Sequence, residues 1–105
     1  MDIEWLRARI SAGQYVVSVH AERERLAEDI DLTEIEEVLL RGHILEDYPT
    51  DRRGASCLVL GFAKGRAIHV VCGQRESHVV VITVYLPLPP VWTAIDQRKK
   101  REDEK

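Results

Sequence analysis

His20 and Arg23 stand one helical turn apart in the string Ser18-Val19-His20-Ala21-Glu22-Arg23. An imidazole titrates near neutral pH and can move protons. A guanidinium stays charged in proteins and suits anions. His69, between Ile68 and Val70, adds a second imidazole, and Tyr85, near the end of a long apolar run, adds a phenol. One arginine, two histidines and a tyrosine are the types that phosphodiester cleavage without a metal calls for. One group takes the proton of the nucleophile, another protonates the leaving oxygen, and a cation stabilises the charge that develops. Each residue also has an ordinary reading. His20 can bond backbone at a helix start, His69 can be a packed strand histidine, and Tyr85 can be packing. Arg23 can pair with Glu46 or Asp47, or reach along the surface to water.

Other chemistries find little support. Gly61-Phe62-Ala63-Lys64-Gly65 lacks the spacing of a phosphate loop, and no His-Glu-x-x-His string occurs. His20 and Glu22 are too few ligands for a metal centre. No metal and no cofactor are expected. Cys57 and Cys72, the only cysteines, are too few and too far apart in sequence for a disulfide-rich scaffold. They read as reduced core residues.

Elements to carry these groups follow from periodicity. Ile3, Leu6 and Ile10 make a short helix that Gly13 ends, and Tyr15-Val16-Val17-Ser18 is a short strand. Ser18 caps a helix expected to run from Val19 to Ile30. At 100° per residue, Val19, Leu26 and Ile30 share a face, Arg23 points into its middle, and Arg25 points away. A guanidinium beneath that helix needs an acid, an aromatic ring or a wet anion pocket. Thr33-x-x-Glu36 fits a capping box for the next helix, with Asp31 and Glu34 as a rival register, and Gly42 as the stop. Ile35, Val38 and Leu39 form its buried stripe. The period then changes to two, predicting strands at 43–48, 56–62, 67–72 and 78–86. His43 and His78, at strand starts, are expected to be exposed. The last strand is apolar on both faces, with Val80, Ile82 and Val84 on one, and Val79, Val81, Thr83 and Tyr85 on the other. Pro87, Pro89 and Pro90 end it. Trp92 and Ile95 are expected to pack back. Helices grouped ahead of strands predict an α+β fold, with helices on one face of a mainly antiparallel sheet of four or five strands.

The whole chain has 105 residues and a net charge of −3. One domain over 1–95 and a charged, mobile tail over 96–105 are expected. No apolar run approaches the length of a membrane span, and Met1-Asp2-Ile3-Glu4 carries acids where a secretory signal carries bases. The expectation is a cytoplasmic protein without membrane contact. Eight acids and two bases lie in 22–37, whereas eleven bases face eight acids from Arg41 onward. The overall acidity counts against a large nucleic-acid surface. The uneven distribution would let the molecule meet an anion on one side and a basic partner on the other.

The string from Ser18 to Arg23 is followed by Gly42-His43-Ile44-Leu45-Glu46-Asp47-Tyr48, Ser56-Cys57-Leu58-Val59-Leu60-Gly61, Ile68-His69-Val70-Val71 and Ile82-Thr83-Val84-Tyr85, with Trp92 beyond. In that order and spacing they resemble an uncharacterised bacterial domain family across most of 15–92. Its members resemble toxins of the RelE/BrnT type, and some are encoded beside zinc-ribbon antitoxins of the MqsA kind. The resemblance implies a RelE-like α+β fold, an antitoxin partner, and cleavage of RNA, free or on the ribosome. It maps the family's histidine–arginine string onto His20 and Arg23, and its strand histidine onto His69. The catalytic set expected on this reading is His20, Arg23, His69 and Tyr85. A non-catalytic binding module that acts through protein–protein contacts stays open beside it, as does a homo-oligomer.

Overall fold

A computed structural model describes residues 1–98. The Asp2 carboxylate accepts the backbone N–H groups of Glu4 and Trp5 and so caps α1 (Ile3–Ser11), which buries Leu6 and Ile10. Gly13 turns the chain into β1 (Tyr15–Val17). Ser18 then caps α2 (Val19–Ala27) by accepting from the Ala21 N–H at 3.0 Å. Its hydroxyl also donates to the Ile82 carbonyl at 2.9 Å, which fixes the helix start against the sheet.

The rival register opens α3 (Leu32–Arg41). Asp31 accepts from the Glu34 N–H, and the Glu34 carboxylate accepts from the Asp31 N–H. Glu36, freed from capping, accepts the Tyr15 hydroxyl at 2.5 Å. Ile35, Val38 and Leu39 are buried, as the periodicity predicts. Gly42 ends the helix with an extended backbone, not the left-handed one. Its reason is proximity, because a Cβ there would lie 2.4 Å from the Leu60 carbonyl oxygen.

Four antiparallel strands follow, β2 (His43–Tyr48), β3 (Ser56–Ala63), β4 (Arg66–Arg75) and β5 (His78–Tyr85). β1 adds in parallel to β5, giving the order β1-β5-β4-β3-β2. The expected α+β architecture is therefore present. α2 packs on β5, and α3 on β3 and β4. The core on that face joins Leu6, Ile35, Val38 and Leu39 to Cys57, Val59, Ile68, Val70, Val79, Val81 and Val84.

The other face carries Leu58, Leu60 and His69, all buried. What covers it is the segment after β5, which makes a small hairpin of β6 (Trp92–Ala94) and β7 (Gln97–Arg98). Trp92 packs back as expected, while the Ile95 side chain stays 40% exposed. Of the expected tail, Gln97 and Arg98 form β7. Residues 99–105 of the expected tail lie outside the described residues. No described helix is long and apolar enough to cross a membrane.

Candidate functional site

His69 and Tyr85 are direct partners in the β4–β5 register. Strict alternation along β5 would have placed Tyr85 with Val79 and Val81 under the helices. A bulge prevents this. Cys72 pairs with Val81, but Val71 pairs with Thr83, so Ile82 is an extra residue. Beyond it the faces exchange. Val84 joins Val79 and Val81 in the helical core, and Tyr85 turns to the opposite side beside His69.

The His69 ring is fully buried there. Its Nε2 lies 2.6 Å from the Ile95 carbonyl oxygen and its Nδ1 lies 3.2 Å from the Tyr85 hydroxyl. A carbonyl only accepts, so Nε2 carries the proton in the neutral ring. Nδ1 is then an acceptor, and the Tyr85 hydroxyl donates to it. Burial pushes the imidazole pKa down, which keeps the ring neutral at physiological pH, and burial pushes the Tyr85 phenol up. Trp92 stands edge-on to the imidazole at 4.4 Å between centroids, and Tyr85 does so at 5.2 Å.

A guanidinium does join this group, but it belongs to Arg98. It lies 4.5 Å from the centre of the Trp92 ring and makes a two-pronged pair with Glu46, at 2.7 and 3.2 Å. That pair holds the Glu46 carboxyl below its ordinary pKa. Glu46 also accepts the Tyr48 hydroxyl. A cleft of about 380 Å³ opens beside these groups, lined by Tyr85, Leu86, Leu88, Pro90, Trp92 and Arg98. The phenol and the guanidinium thus share one largely apolar recess, with the imidazole behind the phenol.

Arg23 does not take the place expected of it. It is exposed, not held beneath α2, and makes no hydrogen bond or ion pair among the described residues. The helix ends at Ala27, because Glu28 caps it and Asp29 turns to φ +54°, so Ile30 reaches the core from a loop. Without Ile30 on the helix the apolar face loses its anchor. Val19 and Leu26 are left 69% and 63% exposed, and α2 meets the sheet instead through the buried Ala21 and through Glu24, whose carboxylate reaches β5. Neither expected acid is free for Arg23. Glu46 holds Arg98, and Asp47 holds the Met1 amino group.

His20 lies on the exposed flank of α2, 3.2 Å from Glu24. Glu24 accepts the Thr83 hydroxyl and, at 3.0 Å, the N–H of Val84. β1 pairs with β5 only as far as Val81, so this carboxylate takes over the open edge beyond it. His20 is thereby tied to the end of β5 that carries Tyr85, two residues past Thr83. Of the four expected residues, the structure puts His69 and Tyr85 in contact, connects His20 to the same strand end through Glu24, and leaves Arg23 on the outer surface. His43 is exposed as expected, whereas His78 is half-buried.

Trp92, Ile95, Arg98 and Glu46 complete the cluster and were not read as site residues. Trp92 carried a signal as a large aromatic beyond a proline-rich break. Arg98 carried none, because it opens a run of charges. Among the described residues, no three His, Cys, Asp or Glu side chains gather as metal ligands.

No curated protein and no solved structure matches the chain significantly. A family model does match, over residues 17–86, a span that includes His20, Arg23, His69 and Tyr85 and stops short of Trp92 and Arg98. That span is two thirds of the sequence, and the chain belongs to the family described as Domain of unknown function (DUF4258).

Proposed function

We propose that the protein is the toxin-like member of a toxin–antitoxin pair and acts as a metal-independent RNA endonuclease in the cytoplasm. The observation that carries this reading is the relay from the Tyr85 hydroxyl to a buried neutral imidazole and on to the Ile95 carbonyl, opening on a cleft that holds Arg98. The RelE/BrnT resemblance of the sequence strings and the α+β architecture support it.

In this mechanism an RNA 2′-hydroxyl gives its proton to Tyr85 Oη as the phenol passes its own to His69 Nδ1. The Ile95 carbonyl stabilises the imidazolium that forms, through the Nε2–H bond already in place. The freed 2′-oxygen attacks phosphorus, and Arg98 balances the charge on the phosphoryl oxygens. His20, which Glu24 ties to the end of β5, protonates the departing 5′-oxygen, and Arg23 holds a neighbouring phosphate. The products are a 2′,3′-cyclic phosphate and a 5′-hydroxyl end. Tyr85 touches the reacting atoms, and His69 acts only through it.

A short single-stranded RNA incubated with the purified chain in a chelating buffer tests this. Cleavage to cyclic-phosphate ends is expected, slowed about 100-fold or more by Tyr85→Phe, in line with the usual worth of a proton-transfer group. Induced expression is expected to arrest growth, with relief by a co-encoded neighbour. Equal cleavage by wild type and Tyr85→Phe, or no cleavage and no arrest, overturns the reading. A second reading, a non-catalytic module that docks a protein partner, draws on the exposed Leu88 and Val91 at the mouth of the same cleft. It predicts growth effects that survive Tyr85→Phe.

A further inference from the structure

Cys57 and Cys72 are 15 residues apart in sequence, yet the β3–β4 register makes them partners on the helical face of the sheet. Both side chains are fully buried and neither is bridged. Their sulfurs lie 3.8 Å apart. Directly opposed residues in antiparallel strands have Cα atoms about 4.5–5.5 Å apart, inside the range of roughly 4.4–6.8 Å that disulfides span. Rotation about the two Cα–Cβ bonds with a small approach closes the remaining gap, and neither strand has to slide.

Cys57 lies directly under Met1. Met1 Sδ rests 3.8 Å from Cys57 Sγ, the Met1 side chain is itself buried, and its amino group pairs with Asp47, the β2 partner of Cys57, so a small oxidant reaches the thiol when this one residue ahead of α1 moves aside. The two thiols are not equivalent. The hydrogen bond between them favours the thiolate of Cys57, while that bond and burial push the Cys72 thiol up. One sulfur is thus suited to react first and the other to resolve.

We propose that Cys57 and Cys72 are a redox modification site, closing to an intramolecular disulfide across β3 and β4 when the folded chain meets a peroxide. The Cys57 thiolate attacks one peroxide oxygen. The O–O bond breaks, hydroxide leaves and is protonated to water, and Cys57 becomes a sulfenic acid. Cys72, losing its proton, attacks the sulfenic sulfur. The S–O bond breaks, a second water leaves, and the S–S bond forms. Each sulfur has then given up one electron, and the peroxide has been reduced to two waters. The proposal is independent of the ribonuclease reading, since it concerns the opposite face of the sheet.

Full-length protein treated with hydrogen peroxide in native buffer, then denatured and alkylated, reads the outcome by mass. Both thiols are expected to be lost to alkylation, with a linked peptide pair containing Cys57 and Cys72, an unchanged far-UV spectrum, and full recovery on reduction. The Cys72→Ala chain is expected to stop at a Cys57 sulfenic acid that dimedone captures. Retention of both alkylatable thiols under peroxide that fully oxidises free cysteine overturns the proposal. So does a disulfide that forms only in denaturant, or one that joins two chains. The wild-type arm decides the matter even if the alanine variant does not fold.

Discussion

A neutral imidazole sealed between a phenol and a carbonyl has a cost that pH can reveal. In the folded chain the His69 pKa is pushed down by burial, while in the unfolded chain it returns to its ordinary value near 6.5. Below that value the unfolded state takes up a proton that the folded state resists. His69 therefore supports folding fully above about pH 6.5, and this support drains as pH falls toward the lowered folded value. Urea unfolding between about pH 7 and pH 5 is expected to show stability falling with acid over this window, before the carboxylates titrate. In His69→Gln, whose amide can still donate to Ile95 and accept from Tyr85, the fall in that window is expected to flatten. An unchanged slope in the variant assigns the titration to another group. The chemistry of this residue was legible from its sequence neighbours, since Ile68 and Val70 place it in a strand interior. Its two hydrogen-bond partners were not, because one comes across a bulge and the other from a turn 26 residues away.

The bulge and the α2 edge show how far local pattern reaches at the scale of elements. The strands were readable because β-branched residues alternate between clear turn signals. The facing past Ile82 was not readable, because an inserted residue leaves the same composition behind while exchanging inside for outside. In α2 the misreading has a different cause. Val19 and Leu26 suggest an apolar stripe, but the helix is held by polar devices, the Ser18 cap and the Glu24 carboxylate on the edge of β5. Glu24→Ala leaves the Val84 N–H without its partner, and it frees His20 from the strand. A loss of about 1–3 kcal/mol in unfolding free energy is expected, the usual cost of stranding a buried donor. Faster amide exchange at Val84, with Val70 unchanged, is the measurement that places the effect on this edge. Uniform acceleration across β4 and β5 means that Glu24 supports the whole sheet and not its edge.

The molecule as a whole is a sheet whose two faces are covered by unequal means. Three helices and a continuous aliphatic core cover one, and a short hairpin hinged on prolines covers the other. The second cover is thin. Trp92, 2% exposed, supplies its main apolar contact and stands against the His69 ring, while Arg98 clips the far strand of the hairpin to Glu46 on β2. Sequence order hid this arrangement, since the covering residues follow three prolines and run into a stretch of charges. The cover also sets the state of the site, because the Ile95 carbonyl that fixes the His69 tautomer comes from the same hairpin. Trp92→Ala removes a buried aromatic from between the hairpin and the sheet. A loss of about 3 kcal/mol is expected, at the low end for such truncations, because the short hairpin can partly collapse onto the gap. The helical core is expected to survive, so far-UV dichroism stays near wild type while Leu58 and Leu60 become accessible and a hydrophobic dye binds. Under the proposed relay, RNA cleavage falls with it, since an imidazole no longer held by Ile95 can adopt either tautomer. A variant that is as stable as wild type and binds no dye shows that the hairpin covers nothing the fold needs. One that unfolds entirely shows that the two faces form a single cooperative core.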